Sequence, residues 1–333
     1  MVILVTGGMG FIGSHTVQAL ADLGHTCVVP SHRTTRDVGD TVSIEQVNVA
    51  DRDAMLGLGG PRAIGGIVHL ADPALAHLTD PSVAPATLLA DMRAGADALF
   101  NVLECAIAWD VRRVTVASTI GVYAGLPDLR GASEQLPLHM AAGASLVAAS
   151  KMSAEVVVSL FRERGVDAIS ARLPAVWGPR GRTQSRFFAA PGLIHAAVNG
   201  ESPPTAYADD AIDMLYVKDC ARAIALLQTA DRLAHLTYNV GSGHATSNAD
   251  VVAAIKRAVP GAKLPLEPGK SPHGAVAYLD TTRLHADTAF EPEYNLERSI
   301  ADYVSWLIND GSQKQVDLPK NVAPNIIGAG SPL

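Results

Sequence analysis

A chain of 333 residues with 48% hydrophobic side chains is long enough for one large domain or two moderate ones, and its net charge of −7 argues against a nucleic-acid-binding surface. No run of about eighteen apolar residues exists to cross a membrane, and the start lacks the basic and long apolar regions of a signal peptide, so the expected compartment is the cytoplasm. Cys27, Cys105 and Cys220 are odd in number, scattered and set among apolar residues; they read as buried small side chains, without metal spacing or a disulfide framework.

Val2 to Val5 is a continuous apolar run of the kind that forms a strand buried on both faces of a parallel sheet. Gly7, Gly8, Gly10 and Gly13 follow at once, and Ser14 to Leu23 has helical spacing. Strand, tight glycine turn and helix together form a dinucleotide site. The missing Cβ atoms let the backbone approach a pyrophosphate, whose charge rests on N–H groups at the helix N-terminus. Gly7, Gly10, Phe11, Ile12 and Gly13 are the expected contacts.

Thr26 to Val29 is the second strand, and Ser31 stands where an acidic residue would bind the adenosine ribose of the unphosphorylated cofactor. With His32, Arg33 and Arg36 behind it, this loop suits a 2′-phosphate, which arginine grips as a fork, and favours NADP over NAD. Val42 to Val49 is a third strand, closing on Asn48 and Val49 where short side chains meet the adenine edge.

Asp53 to Leu58 begins a brief helix that Gly59, Gly60 and Pro61 cut off. Ile64 to Ala71 is another buried strand, ending at Asp72. A long helix over Ala84 to Trp109 precedes a strand over Val111 to Ala117; a helix over Ser145 to Arg164 precedes a strand over Ala168 to Leu173. Beyond Pro174 the pattern is less regular: helices are expected over Phe187 to Gly200, from about Asp219 to Ala230, over Asn248 to Val259 and over Asn295 to Ile308, with a strand at Thr237 to Gly241. Gln313 to Leu333 lacks periodicity. This alternation predicts an α/β fold, a Rossmann-type doubly wound parallel sheet with ligands at its carboxyl edge and a smaller C-terminal substrate-binding subdomain. The expected boundaries are 1–173 with about 213–242 for the nucleotide domain, 174–212 with 243–310 for the substrate subdomain, and a tail over 311–333.

Several motifs in order resemble the extended short-chain dehydrogenase/reductase family of NAD(P)-dependent sugar epimerases and dehydratases. They are Thr6-Gly-Gly-x-Gly-Phe-Ile-Gly-Ser-His15, Val68-His-Leu-Ala71, Asn101-Val-Leu-Glu104, Arg113-Val-x-Val-x-Ser-Thr-x-x-Val-Tyr123, Ser150-Lys151, Arg172-Leu-x-x-Val-Trp-Gly-Pro179, Tyr216-Val-x-Asp219 and Tyr238-Asn-Val-Gly-Ser242. The resemblance implies a homodimer paired through the two long helices. It also implies cofactor contacts at Leu70, Ala71, Lys151 and Pro174, and a Ser/Thr, Tyr and Lys acting on one substrate oxygen. Thr119, with Ser118 beside it, takes the Ser/Thr place and Lys151 the Lys place; the Tyr place, one helical turn before Lys151, holds Val147.

No tyrosine lies between Tyr123 and Tyr207, so no small shift of register restores the acid/base. Tyr123, His139, Asp72, a water held by Thr119, or Lys151 itself are the alternatives. Asp72, Val147, Ala175 and Arg180 are the expected substrate-side residues, three of them departures: Asp72 replaces a small residue, Val147 the tyrosine and Ala175 an asparagine, while Ile212 stands where an arginine usually meets substrate phosphates. Arg180, Arg182 and Arg186 are the dense basic group in that region. The reading these departures favour is an NAD(P)-dependent oxidoreductase of a carbonyl or secondary alcohol, a ketoreductase with a non-standard active site, because reduction asks less of the missing base. The alternatives are a nucleotide-sugar epimerase or dehydratase, and a cofactor-binding protein without turnover.

Overall fold

The computed structural model describes residues 1–31, 41–60, 62–72, 82–139, 146–185, 188–272 and 276–309. In chain order its elements begin with β1 (Val2–Thr6), α1 (Phe11–Asp22), β2 (Thr26–Pro30), β3 (Val42–Glu45), α2 (Arg52–Gly57), β4 (Ile64–His69), α3 (Pro85–Ala108) and β5 (Arg113–Thr119), which runs into a 3₁₀ turn over Ile120–Tyr123. Then come β6 (Leu129–Ala132), α4 (Leu146–Arg162), β7 (Ala168–Leu173), β8 (Ala175–Trp177), α5 (Ala190–Asn199), β9 (Ala211–Ile212), β10 (Met214–Tyr216) and α6 (Val217–Thr229). The last are β11 (Thr237–Asn239), β12 (Thr246–Ser247), α7 (Asn248–Ala258), β13 (Val276–Leu279), α8 (Thr282–Thr288) and α9 (Leu296–Asn309).

A seven-stranded sheet in the order β11-β7-β5-β4-β1-β2-β3 organises the molecule, and every pairing in it is parallel. The reason is written in β1. Ile3 and Val5 point to one face, into a core shared with Val17 and Leu20 of α1 and Cys220 and Ile224 of α6, while Leu4 points to the other, toward Met55, Val102 and Val158 of α2, α3 and α4. Alternate residues face opposite layers and both layers are apolar, so the strand reads as an unbroken hydrophobic run. Each such side chain removed from water contributes about 1.5–3 kcal/mol.

A second sheet, β12-β9-β13-β6, and the pair β8-β10 form the smaller layer. Behind them α5, α7 and α9 enclose Trp177, Tyr216 and Tyr303, with ring centroids 5.2 Å apart for Trp177 and Tyr216 and 6.2 Å for Trp177 and Tyr303.

Expected elements fall close to their places, and the differences have local causes. β3 stops at Glu45, short of Val49, because Asn48 folds back: its Oδ1 accepts from the Ala50 N–H and its carbonyl from the Asp51 N–H, and Asp51 then caps α2 through the Ala54 N–H. The first helix starts at Phe11, three residues earlier than its apolar spacing indicates, since Gly13 belongs inside it. Strands β6 and β13 have no counterpart among the expected elements; they are four residues long and pair with each other, and Gly131 in β6 has φ +65°. The three cysteines are buried, which pushes the thiols of Cys27 and Cys105 up to about 11 and about 12. Among the described residues no helix is long and apolar enough to cross a membrane, and no cluster of three or more His, Cys, Asp and Glu suits a metal.

Candidate functional site

Parallel pairing brings the carboxyl ends of four strands to one edge. The register sets Thr6 of β1 beside His69 of β4, His69 beside Val116 of β5, and Thr119 beside Leu173 of β7. The residues that follow each strand therefore share one crevice, the place where open α/β sheets take ligands.

The glycine turn leaves no room for side chains. Gly7 has φ +70°, and a Cβ there would sit 2.8 Å from the Ala71 nitrogen; one on Gly13 would sit 2.0 Å from the Gly7 carbonyl oxygen. Gly10 caps α1 without a side chain, and the first turn carries no acidic residue. The first-turn N–H groups of Phe11, Ile12 and Gly13 are thus left to an anion, with the positive end of the helix behind them. A cradle that any Cβ would fill, at the start of an uncapped helix, fits a dinucleotide pyrophosphate.

Across from this turn the chain that follows β4 is tied down. The Ala71 N–H donates to Thr6 Oγ1 at 3.3 Å, and Thr6 Oγ1 lies 2.8 Å from His69 Nδ1. His69 is buried, and that burial, with Lys151 nearby, pushes its pKa down to about 3, so the ring stays neutral. Beyond Leu70 and Ala71, which pack against Gly7, the Asp72 carboxylate meets Lys151 of α4: Oδ2 and Nζ are 3.0 Å apart, with side chains only 10% and 17% exposed. Val147, one turn before Lys151 on α4, is half-buried.

Thr119 ends β5 half-buried, and its Oγ1 accepts from the Gly121 N–H at 3.1 Å. That bond occupies a lone pair and leaves the hydroxyl proton to donate outward. Ser118 is turned the other way: its hydroxyl donates to Glu155 Oε1 at 2.5 Å. Glu155 is also the ion-pair partner of Arg172, at 2.6 Å. Arg172 Nη1 in turn donates to the Tyr123 hydroxyl, which donates to Asn239 Oδ1 at 2.8 Å. Tyr123 is fully buried, and burial raises its pKa. Ser118 and Tyr123, expected among the catalytic groups, are members of this internal network, which binds β5, β7, β11 and α4 together.

A model of the NAD-dependent epimerase/dehydratase family matches residues 3–241. The chain belongs to that family. It is 28% identical to dTDP-glucose 4,6-dehydratase 1 of Escherichia coli, over 97% of this chain and 96% of the relative. Among solved structures it is similar to the UDP-glucose 4-epimerase of Thermus thermophilus in complex with NAD, with a TM-score of 0.75, 25% identity and coverage of 93% of this chain and 100% of the other. MoeE5 in complex with UDP-glucose and NAD gives a TM-score of 0.74 at 26% identity, covering 92% and 99%.

As a member of the epimerase/dehydratase family, the chain has its other expected site residues in several places. Ser31 closes β2, where its N–H donates to the Glu45 carbonyl; His32, Arg33 and Arg36 lie outside the described residues. Asn48 is exposed at the turn described above, and the Val49 carbonyl accepts from Asn101 Nδ2. Pro174 is buried between β7 and β8, and Ala175 is a buried β8 residue whose N–H donates to the Asp213 carbonyl. Arg180, exposed with φ +65°, lines a cleft with His15, Lys218, Asp302 and Trp306, a set that does not include Lys151. Arg186 lies outside the described residues.

Thr6 and His69 are absent from the functional residues that the sequence suggests. Their signal is present, a histidine and a threonine each ending an apolar run, but only register places them side by side.

Proposed function

We propose that this chain is an NAD-dependent epimerase of a nucleotide-linked sugar, oxidising one secondary hydroxyl and reducing the resulting ketone on the opposite face. The observation that carries this reading is the Lys151–Asp72 ion pair at the carboxyl edge, next to a turn shaped for a pyrophosphate. The named relatives, one a complex with NAD and another with NAD and UDP-glucose, supply the substrate class and the choice of NAD.

Bound NAD supplies the hydride acceptor and, in the return step, the donor. Gly7, Gly10 and Gly13 with the first turn of α1 would hold its pyrophosphate, and Leu70, Ala71, Pro174 and Lys151 would hold the rest of it. The Thr119 hydroxyl, fixed by the Gly121 N–H, donates to the sugar oxygen as it passes between alcohol and ketone. Dehydration needs further groups to take a C–H proton and protonate a departing hydroxyl. In the turn after Thr119, Ile120, Gly121 and Val122 carry no proton to exchange and the Tyr123 hydroxyl is held between Arg172 and Asn239, so epimerisation is favoured.

The nucleotide-binding unit is 1–173 with about 213–242, and 174–212 with 243–310 receives the sugar nucleotide. A homodimer forms through α3 and α4, whose outer faces expose Leu89, Phe100, Ile107, Leu146, Val156 and Leu160. A second reading, a ketoreductase on NADPH, is favoured by Ser31, which replaces the acidic residue at the end of β2.

The test is a titration of the purified chain with NAD and NADP, followed by incubation of the NAD-loaded protein with UDP-glucose and dTDP-glucose and proton NMR of the sugars. NAD-favouring binding with inversion at one sugar carbon is the expected result. NADPH-favouring binding with ketone reduction and unchanged sugar nucleotides would replace this reading by the second.

A further inference from the structure

We propose that the Asp72 carboxylate is the acid/base of this active site, doing the work for which the chain carries no tyrosine; the inference rests on the epimerase reading above. Three observations converge on Asp72. It is the carboxylate paired with Lys151, at 3.0 Å, and both side chains are largely withdrawn from solvent. Its backbone is anchored, because Ala71 is held on Thr6 Oγ1 and the Leu70–Ala71 peptide packs directly on Gly7, at the start of the pyrophosphate turn. And the position on α4 that faces the same way as Lys151, one turn earlier, is Val147, which has no proton to give.

Three other groups near the edge are committed elsewhere. The Tyr123 hydroxyl lies buried between Arg172 and Asn239, and the Ser118 hydroxyl is bound to Glu155. His69 is buried against Thr6 at the end of β4. Among these groups Asp72 combines a titratable oxygen, a cationic partner and a place in the crevice.

The step balances without any further reactant. As the sugar C–H hydride passes to the oxidised nicotinamide, the hydroxyl proton moves to a carboxylate oxygen of Asp72: the C–H and O–H bonds break, C=O forms, and Asp72 becomes neutral. When hydride returns to the opposite face of the ketone, Asp72 gives the proton back to the oxygen, and enzyme and cofactor are restored. Lys151 stays beside the carboxylate, its Nζ 3.0 Å from Oδ2.

The experiment compares wild type with Asp72→Asn, Asp72→Glu and the double variant Asp72→Asn/Val147→Tyr, all as full chains. Two readouts are taken: NAD affinity by fluorescence titration, and single-turnover formation of reduced nicotinamide on mixing NAD-loaded protein with UDP-glucose or dTDP-glucose. Expected for Asp72→Asn are an unchanged NAD affinity and hydride transfer slower by about a hundred- to ten-thousandfold. Asp72→Glu retains part of the rate, and a tyrosine at position 147 restores part of it. A loss of NAD affinity by about tenfold or more in both single variants would make Asp72 a cofactor anchor and overturn the proposal, as would an unchanged rate in Asp72→Asn. If NAD-loaded wild type reacts with neither sugar nucleotide, the epimerase reading falls and this proposal with it; a wild type that reacts, with Asp72→Asn reacting equally fast, overturns the proposal alone.

Discussion

Thr6 Oγ1 and His69 Nδ1, 2.8 Å apart at the carboxyl ends of β1 and β4, form the hinge of the crevice. The Thr6 oxygen also accepts the Ala71 N–H at 3.3 Å. One hydroxyl thus ties a buried histidine to the backbone that leads to Asp72.

A neutral buried histidine makes stability depend on acid. The folded-state pKa of His69 is about 3, against 6.5 when unfolded, because burial and then Lys151 disfavour the charged ring. Between those values the unfolded chain binds more protons, so stability rises with pH through this window and is lost as pH falls from 6.5 toward 3. Melting temperatures measured across this range should drop more steeply for wild type than for His69→Gln, whose amide does not titrate. Parallel curves would show that His69 is not the group responsible.

Tyr123 separates a structural role from a chemical one. Removing its hydroxyl in Tyr123→Phe leaves Arg172 Nη1 and Asn239 Oδ1 short of a partner inside the protein. The cost should be about 1–3 kcal/mol in urea unfolding, with NAD binding and hydride transfer per folded molecule kept within about threefold of wild type. A loss of about a hundredfold in hydride transfer would instead make Tyr123 an acid/base.

Glycine is demanded at some positions and merely tolerated at others. A Cβ on Gly13 would lie 2.0 Å from the Gly7 carbonyl oxygen, a backbone atom that can retreat only if the turn opens; one on Gly57, at the end of α2, would meet nothing within 4 Å. Gly13→Ala should therefore lose NAD binding by about tenfold or more, together with stability. Gly57→Ala should leave binding intact and raise stability by up to about 1 kcal/mol. Isothermal titration and urea melts of the two variants provide the comparison.

The parts of this fold that are legible in the sequence are those where one short segment carries the whole signal. β1 covers the apolar run Val2 to Val5 and adds Thr6, because a strand buried on both faces is apolar almost throughout and its ends stand out. The glycine turn is legible for the same reason, since strand, turn and helix are contiguous. β6 and β13 are not, because each is too short to show a period and each has the other as its partner. The Asp72–Lys151 pair, the Thr6–His69 contact and the withdrawal of Ser118 and Tyr123 into the Arg172–Glu155 network all depend on the packing of separate elements. No spacing along the chain announces them.

The outer faces of α3 and α4 carry the last prediction. Phe100 and Ile107 lie two turns apart on α3 and are 51% and 58% exposed; Val156 and Leu160 lie one turn apart on α4 and are 60% and 45% exposed. Of the large hydrophobic residues exposed among the described residues, only Met1, Leu23 and Ile308 lie on other parts of the chain. Two stripes of this kind on adjacent helices pair well with themselves across a two-fold axis, because each apolar side chain then buries surface against its counterpart. Charges introduced at the centre of both stripes, in Phe100→Glu/Val156→Lys, should shift the chain from dimer to monomer in light scattering. The ligand crevice lies at the carboxyl ends of the strands and not on these helix faces, so NAD affinity should persist. A wild-type chain that is monomeric at micromolar concentration, or a double variant that remains dimeric, would place the interface elsewhere or remove it.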